Sequence, residues 1–217
     1  MNFVCESAVE MSAELYQSVS RYRRKVFVDR LGWDLPSGMA DCEQDQFDRA
    51  ETVYLAAQNP DGEVIGCGRL LPSTGSYLLQ TVFPDLLNGV PAPQSADVWE
   101  LSRFAAGDPA SATAARREHL AERLLLRALQ FCERRGARQL LAVTTVAVER
   151  LMLRAGVELQ RLGPPRIIDG QPVLALVIEV SERSLLSLSA FEEAFIPTGA
   201  PIALSPSWSA ARELSAV

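Results

Sequence analysis

The stretch that decides the fold runs from residue 120 to residue 145 and reads LAERLLLRALQFCERRGARQLLAVTT. Its first half has an apolar or small residue at every fourth position, which predicts a core-packing helix from about Ala114 to Arg135. Gly136 is expected to end that helix, because glycine readily takes the left-handed conformation that follows a helix. The apolar run Gln139–Thr145 then predicts a buried strand. The residues at the four-residue spacing are Leu120, Leu124, Ala128 and Cys132.

The segments around this stretch alternate between helical and strand-like patterns. Upstream, Thr52–Gln58 and Glu63–Leu70 are two predicted strands joined by the hairpin turn Asn59-Pro60-Asp61-Gly62. Downstream, Val148–Arg154 is a predicted short helix and Val173–Val180 is a predicted closing strand. A strand-rich first half followed by helix, strand, helix and strand predicts a mixed sheet with helices on both faces.

A further strand is predicted at Val98–Ala105, where the sequence VWELSRFA combines apolar and charged residues. In a regular strand the side chains alternate between the two faces of the sheet. A β-bulge would change that alternation at the point where it occurs. The regular pattern places Trp99, Leu101 and Arg103 on one face and Glu100, Ser102 and Phe104 on the other.

Composition and charge exclude several classes of function. The net charge of −6 argues against a nucleic-acid-binding protein that relies on bulk electrostatics. No stretch reaches the roughly 18 consecutive apolar residues that are typical of a membrane-spanning helix. The first residues, MNFVCESAVEMS, lack the charged and apolar regions of a secretory signal, so a cytoplasmic protein without membrane attachment is expected.

Cysteine and histidine usage argues against a metal site or a disulfide framework. The cysteines are widely scattered, none forms a C-x2-C pair, and the chain has a single histidine, His119. We therefore expect no bound metal, and reduced, partly buried thiols are the simpler interpretation. The cysteines are Cys5, Cys42, Cys67 and Cys132.

Charged and aromatic residues cluster in four separate segments of the first half of the chain. They read RYRRKVFVDRLGW at 21–33, CEQDQFD at 42–48, GCGRLLP at 66–72 and VWELSRF at 98–104. Residues of this kind have little reason to be spread over four segments unless the fold brings them together around a charged ligand. These segments resemble the LuxI-type acyl-homoserine lactone synthases.

The resemblance runs from about Tyr16 to about Glu179 and implies a three-layer α/β/α sandwich related to the N-acetyltransferase fold. It places a synthase domain at residues 1–185 and a partly irregular C-terminal extension at 186–217. The implied activity makes an N-acyl-L-homoserine lactone from S-adenosylmethionine and an acyl group on acyl carrier protein. S-adenosylmethionine is then a substrate, no cofactor is bound permanently, and a LuxR-type regulator reads the bacterial signal.

The implied reaction needs a base. The amine of S-adenosylmethionine must lose a proton and attack the thioester, after which the methionyl carboxylate closes the lactone and expels methylthioadenosine. By resemblance Glu100 and Arg103 are the catalytic residues, and Glu100 takes the proton through a water molecule. The alternative is that Glu100 is a strand carboxylate paired with Arg103 or Arg69.

The resemblance also implies a binding site for S-adenosylmethionine. Asp45 and Asp48 suit its ammonium and sulfonium charges, arginines suit its carboxylate, and the faces of Phe27 and Trp33 suit the sulfonium or the adenine. A solvated acidic turn and ordinary aromatic packing are the alternatives. The implied set is Arg23, Phe27, Trp33, Asp45, Asp48, Arg69 and Arg103.

The acyl chain is expected in an apolar tunnel between the central strands and the helices behind them. By resemblance Thr144 occupies a position that is tied to accommodating a 3-oxo group on that chain. Thr145 points the other way in a regular strand, and a register different by one residue would give it this role. The candidate tunnel residues are Leu101, Phe104, Leu124, Val143, Thr144 and Met152.

Two observations favour acyl carrier protein as the donor. Ala106–Ser111 lacks the glycine-rich pyrophosphate loop of N-acetyltransferases that use coenzyme A. The second half is rich in arginine, which suits an acidic carrier, and Arg150 and Arg154 are expected to dock it. An N-acyltransferase that uses acyl-CoA and a non-catalytic carrier-binding module are the alternatives. The other arginines considered are Arg116, Arg117, Arg123, Arg161 and Arg166.

Overall fold

A mixed β-sheet forms the centre of the computed structural model, which describes residues 1–33, 41–107 and 119–193 and the backbone of 202–203. The strands are β1 (Asn2–Ser7), β2 (Val53–Gln58), β3 (Val64–Pro72), β4 (Val98–Ala106), β5 (Gln139–Thr145), β6 (Leu159–Arg161), β7 (Arg166–Ile168), β8 (Gln171–Glu179) and β9 (Ile202–Ala203). Their order is β1-β2-β3-β4-β5-β8-β6, with β7 paired to β8 and β9 paired to β4. The pair β4 and β5 is parallel and the other pairs are antiparallel, so the predicted mixed sheet is confirmed.

Helices cover both faces of the sheet, which confirms the three-layer sandwich. One apolar core lies under the helices Leu120–Arg134, Val146–Arg154 and Glu182–Glu193. The other lies under the helices Ala13–Arg23 and Leu78–Thr81, the π-helical segment Arg24–Arg30 and the 3-10 turn Pro84–Leu87. No helix in the described ranges is long and apolar enough to cross a membrane. The helical segments are α1 (Ala13–Arg23), a π-helical segment (Arg24–Arg30), α2 (Leu78–Thr81), a 3-10 turn (Pro84–Leu87), α3 (Leu120–Arg134), α4 (Val146–Arg154) and α5 (Glu182–Glu193).

The four-residue stripe that predicted α3 is the face of that helix that enters the core. Leu120, Leu124, Ala128 and Cys132 are all fully buried. Burial of a leucine side chain contributes roughly 1.5–3 kcal/mol, so the stripe holds α3 firmly against the sheet. The predicted start near Ala114 lies outside the described residues, and the helix ends before Gly136 (φ +73°) as predicted.

Several elements were not predicted from the sequence, among them β6, β7 and α5. The strands β6 and β7 have three residues each, which is too short for a periodic pattern to show. The sequence of α5, ERSLLSLSAFEE, mixes serines into its apolar stripe. This helix crosses the boundary expected between residues 185 and 186, and its Leu188 is fully buried in the core. The division into a synthase domain at 1–185 and a C-terminal extension at 186–217 otherwise stays a prediction.

The parallel strands β4 and β5 separate halfway along their length. They pair from Val98 opposite Gln139 to Leu101 opposite Ala142, although both strands continue further. Beyond Leu101, the pairing that the described residues show on the edge of β4 facing β5 is the one with β9 at its far end. The divergence opens a gap through the middle of the sheet, and the candidate site lies there.

A bulge in β4 overturns the alternation expected for Val98–Ala105. Ser102 lies opposite Arg69 and Ala105 opposite Cys67, so Gly68 alone faces two residues of β4, Arg103 and Phe104. Arg103 has φ +49°, an uncommon conformation for a residue with a side chain. Its side chain therefore lies on the face of Glu100 and Ser102 rather than that of Leu101, while Phe104 joins the core that contains Leu101.

Candidate active site

Three arginines and three carboxylates form a closed set of ion pairs, which we name the charged ring. Each arginine contacts two of the carboxylates, and each carboxylate contacts two of the arginines. Charges of opposite sign therefore alternate all the way round. In order around the ring its members are Arg23, Glu43, Arg103, Asp45, Arg69 and Asp48.

One half of the charged ring is built by Arg23, the last residue of α1. Its Nε donates to Glu43 Oε2 at 2.5 Å, and its two terminal nitrogens donate to the Asp48 carboxylate at 2.8 and 3.0 Å. The Tyr54 hydroxyl donates to Asp48 Oδ1 at 2.8 Å. This forked contact gives direction as well as charge neutralisation, which a lysine could not provide.

The other half is built by arginines of two neighbouring strands. Arg69 on β3 donates from both terminal nitrogens to Asp45, at 2.6 and 3.0 Å, and also to Asp48 at 3.0 Å. Arg103 in the bulge of β4 donates to Asp45 Oδ2 at 2.7 Å and to Glu43 Oε1 at 3.1 Å. The bulge is what turns Arg103 towards these carboxylates.

Burial makes the balance of charge in the ring essential. The side chains of Arg23, Glu43 and Arg69 are at most 1% exposed, whereas that of Asp45 retains 13%. An isolated buried charge would be strongly unfavourable, but here each one has two partners. Burial by itself would raise the pKa of Asp45, yet Arg69 and Arg103 outweigh that effect and hold it at about 2. The carboxylates of the ring therefore stay ionised.

The acidic segment that contains Asp45 and Asp48 is a tight loop. The Asp45 amide donates to Asp48 Oδ2 at 2.7 Å, and the Phe47 amide donates to Asp45 Oδ1 at 2.8 Å. The carboxylates point into the protein rather than into solvent. Glu43 is the ring member that the sequence assignment omitted, although its place two residues before Asp45 was a signal that could have identified it.

Glu100 lies near the charged ring but belongs to a different environment. Its side chain is 1% exposed, and its two oxygens accept hydrogen bonds from the amides of Leu78 and Leu79 at 2.8 and 2.7 Å. Within the described residues its hydrogen bonds go to these amides and not to Arg69 or Arg103. Burial raises the pKa of Glu100 to about 7, with the two amides opposing the rise. Such a carboxyl can exchange protons near neutral pH.

A narrow cleft opens beside Glu100 where β4 and β5 separate. Its walls include Phe83, Ser102 and Val143, and its free volume of about 20 Å³ is enough for one water molecule. Ser102 Oγ accepts a hydrogen bond from Arg69 Nε at 3.0 Å, which connects the cleft to the charged ring. A carboxyl with a raised pKa, a guanidinium and a hydroxyl thus meet in one small space.

Two aromatic side chains stack next to the ring. Phe27 and Trp33 lie with ring centroids 4.5 Å apart and planes inclined by 30°, and both are fully buried. The guanidinium of Arg103 lies 5.1 Å from the centroid of Trp33 and 5.8 Å from that of Phe27. Phe27 belongs to the π-helical segment, a rare conformation that often marks functional sites. The pair supplies a cation-binding surface as well as packing.

The candidate acyl-chain residues divide between two clefts and the core. Leu101 and Val143 line the cleft beside Glu100. Phe104 and Met152 line a second, mostly apolar cleft between α3, α4 and α5. Leu124 is buried in the core under α3 and lines neither cleft. The tunnel itself therefore stays a prediction, with its candidate residues lining two clefts.

The two candidate threonines differ in what their hydroxyls do. Thr144 is fully buried, and its Oγ1 has no hydrogen-bond partner among the described residues. Thr145 Oγ1 instead accepts a hydrogen bond from the Val148 amide and caps the start of α4. Because a buried hydroxyl without a partner is costly, Thr144 is a place where a polar group of a ligand would be favoured.

The candidate carrier-binding arginines are not equivalent. Arg150 and Arg154 are exposed on α4. Arg161 is held by the buried carboxylate of Glu149 at 2.5 and 2.6 Å, so it ties β6 to α4 and is not free for a partner. Arg123 lies over the ring of Phe3, 5.0 Å from its centroid. Arg166 is exposed on β7, whereas Arg116, Arg117 and most of the loop 106–111 lie outside the described residues.

Comparison with known proteins identifies the family. The model of the autoinducer synthase family matches residues 7–188, which is most of the chain. The chain belongs to the autoinducer synthase family. As a member it is an acyltransferase, and the charged ring, Glu100 and the aromatic pair all lie inside the matched residues.

Relatives of known activity share high identity with this autoinducer synthase. It is 43% identical over 184 residues to an acyl-homoserine-lactone synthase of Acinetobacter nosocomialis, covering 83% of this chain and 100% of the relative. It is 46% identical over 173 residues to an acyl-homoserine-lactone synthase of Ralstonia nicotianae, covering 79% of this chain and 85% of the relative.

Solved structures agree with the fold. The acyl-homoserine lactone synthase LasI superposes with a TM-score of 0.79 at 32% identity, covering 87% of this chain and 94% of that one. TofI, solved in a ternary complex with an inhibitor and MTA, superposes at 0.76 with 43% identity, covering 87% and 97%. An N-acetyltransferase of Lactobacillus plantarum at 18% identity and a TM-score of 0.57 supports the N-acetyltransferase-like fold alone. In the described part of the chain no cluster of residues could hold a metal ion.

We expect Glu43→Gln to destabilise this autoinducer synthase by about 3–5 kcal/mol, because it leaves Arg23 and Arg103 with one carboxylate each and a net buried positive charge. Urea unfolding followed by circular dichroism measures the change. Glu14→Gln, at an exposed position in the first turn of α1, is the control and should change stability by no more than about 0.5 kcal/mol. Equal stability of the two variants would contradict the ring's structural role.

Proposed function

We propose that this enzyme makes an N-acyl-L-homoserine lactone from S-adenosylmethionine and an acyl group carried by acyl carrier protein. The amine of S-adenosylmethionine attacks the thioester carbonyl and the carrier thiol leaves. The methionyl carboxylate then attacks the γ-carbon, and methylthioadenosine leaves as the lactone closes. The proposal rests on the environment of Glu100. This buried carboxyl has a pKa near neutrality and lines a cleft beside the charged ring.

Glu100 is the base of this proposal. The amides of Leu78 and Leu79 fix the orientation of its carboxylate, and the cleft has room for the water molecule through which a proton could pass. General-base assistance of this kind typically contributes about 10²–10⁴ in rate. Arg103 lines the same cleft, and we assign to it the binding of the substrate carboxylate.

The charged ring and the aromatic pair form the proposed site for S-adenosylmethionine. Asp45 is the ring carboxylate with the most remaining exposure, so it is the one that can take the substrate ammonium. Asp48 is saturated by Arg23, Arg69 and Tyr54 and acts by holding the ring together. The faces of Phe27 and Trp33 attract the sulfonium by cation–π contact, worth roughly 0.5–2 kcal/mol. TofI, which shares 43% identity, was solved with MTA, the fragment that this reaction releases.

The donor is proposed to be acyl carrier protein on the basis of the surface of α4. Arg150 and Arg154 are exposed there, and the exposed Leu151 and Leu153 lie between them in sequence. A cationic surface with apolar residues suits an acidic carrier that presents a hydrophobic load. Acyl-CoA is the second candidate, because the fold is shared with synthases described as CoA-dependent, BjaI and MesI, at 22–23% identity. The enzyme itself is proposed to act in the bacterial cytoplasm.

The first test of this function changes the base. Glu100→Gln keeps the shape of the side chain and cannot accept a proton, so we expect kcat to fall at least 10²-fold, by the estimate for general-base catalysis. In the wild type kcat/KM should rise with pH up to about 7, because the base works only when deprotonated. Steady-state lactone formation across pH measures both. Near-normal kcat in the variant would remove Glu100 from the mechanism.

The second test separates the two donors. Arg150→Glu with Arg154→Glu should raise KM for acyl-acyl carrier protein about tenfold or more, as expected for reversal of charges at an interface, and leave KM for S-adenosylmethionine unchanged. Arg134→Glu with Arg138→Glu makes the same change of charge at other exposed positions and is the control. Faster turnover with free acyl-CoA, unaffected by either pair, would make acyl-CoA the donor.

The third test concerns the 3-position of the acyl chain. Thr144→Val removes the unpaired hydroxyl at nearly constant volume, so product should shift towards unsubstituted lactones by about 1 kcal/mol, a several-fold change. Competition of 3-oxo and unsubstituted donors in one reaction, analysed by mass spectrometry, measures the ratio. Thr145→Val is the control and should alter stability but not the ratio. An unchanged ratio in Thr144→Val would remove the residue from substrate selection.

A further inference from the structure

The edge of β4 that faces the gap in the sheet is occupied by a segment of the chain itself. Ala105 and Ala106 pair on one side with Cys67 and Gly66 of β3. The same two residues pair antiparallel with β9, Ala105 opposite Ala203 and Ala106 opposite Ile202. A strand has two edges, so β9 must lie on the edge that faces β5, where β5 itself has diverged.

This position lies close to the cleft beside Glu100. The cleft is lined by Ser102 and Arg103, and Ala105 follows Arg103 by two residues on the same strand. At a rise of about 3.3 Å per residue, β9 lies roughly 7–10 Å along the edge from the cleft. An extended group that reached Glu100 from the Ala105 end of the gap between β4 and β5 would pass this edge.

The acyl donors of such a reaction are extended groups of that kind. Acyl carrier protein and coenzyme A both present the thioester on a flexible pantetheine arm that contains two amide groups. Amides of an extended ligand pair well with an open strand edge, as peptides do when they add to a sheet. The arm and β9 therefore offer hydrogen-bonding groups of the same kind to this edge of β4.

We propose that Ile202–Ala203 competes with the acyl donor, docking on β4 in place of the donor's arm, and must leave before the donor binds. The donor part of this proposal rests on the proposed function. The segment lies beyond residues 7–188, which the family model matches. Among the described residues the pairing joins Ile202 and Ala203 to β4, so we expect its effect to be modest and reversible.

The kinetic test uses the full-length enzyme. Ile202→Pro with Ala203→Pro removes both backbone N–H groups of β9, so we expect KM for the acyl donor to fall about fivefold, the factor for roughly one net hydrogen bond. KM for S-adenosylmethionine should not change. Ile202→Val with Ala203→Ser keeps both N–H groups and is the matched control, expected to behave as wild type. Equal KM values for the donor in the proline variant and the wild type would overturn the proposal.

A cross-link tests the pairing without relying on affinity. Cysteines at two directly opposed strand positions lie close enough for a disulfide, so Ala106→Cys with Ile202→Cys should oxidise with diamide to one intramolecular bond. Mass spectrometry identifies the bond, and the single variants control for the native thiols. The oxidised enzyme should lose donor turnover and regain it on reduction.

The outcomes of the cross-linking experiment separate the two proposals. If no cross-link forms, or if the cross-linked enzyme turns over donor normally, the competitor proposal fails while lactone synthesis by the wild type stands. If the wild type makes no lactone with either donor, the proposed function fails and the competitor role fails with it, whatever the cross-link shows.

Discussion

The alternation of three arginines with three carboxylates in the charged ring is the constraint on which the site depends. Its members come from α1, the loop at 41–52, β3 and β4, so the ring joins segments that are far apart in sequence. Each member has two partners, so displacement of one leaves its two neighbours with a single partner each and the ring with one net buried charge. The ion pairs of Arg103 also offset the cost of its left-handed backbone conformation.

Glu100 and the carboxylates of the ring differ in their hydrogen-bond donors and in their pKa values. The ring carboxylates are neutralised by arginines and stay ionised, with the pKa of Asp45 at about 2, whereas Glu100 accepts only neutral amide donors and titrates near 7. Two kinds of carboxylate thus coexist within one small region because their hydrogen-bond donors differ. The first kind gives fixed geometry, and the second is able to move a proton.

The sequence predicted the elements whose signals are local. The apolar spacing identified α3 and the apolar run identified β5, since both patterns follow directly from burial of one face or of a whole strand. The bulge at Arg103 could not be located, because it depends on how Gly68 meets β4 across the sheet. A side chain on Gly68 would place its Cβ 2.9 Å from Leu55, a contact that no sequence pattern reveals. Tertiary neighbours likewise decide that Arg161 pairs with Glu149 and that the hydroxyl of Thr144 has no partner among the described residues.

The π-helical segment after α1 has a consequence for how this chain tolerates change in length. A π-helical turn holds more residues than an α-helical turn, so loss of one residue between Arg24 and Arg30 would let the segment relax into a regular α-helix. The chain beyond the deletion would then keep nearly the same direction, because the wide turn and the regular turn each close about one full turn of helix. The shortened segment would still lose the widened turn in which Phe27 lies, and with it the contacts of Phe27 with Trp33 and Arg103. The number of residues in this segment therefore fixes the position of Phe27 as much as the identity of that residue does.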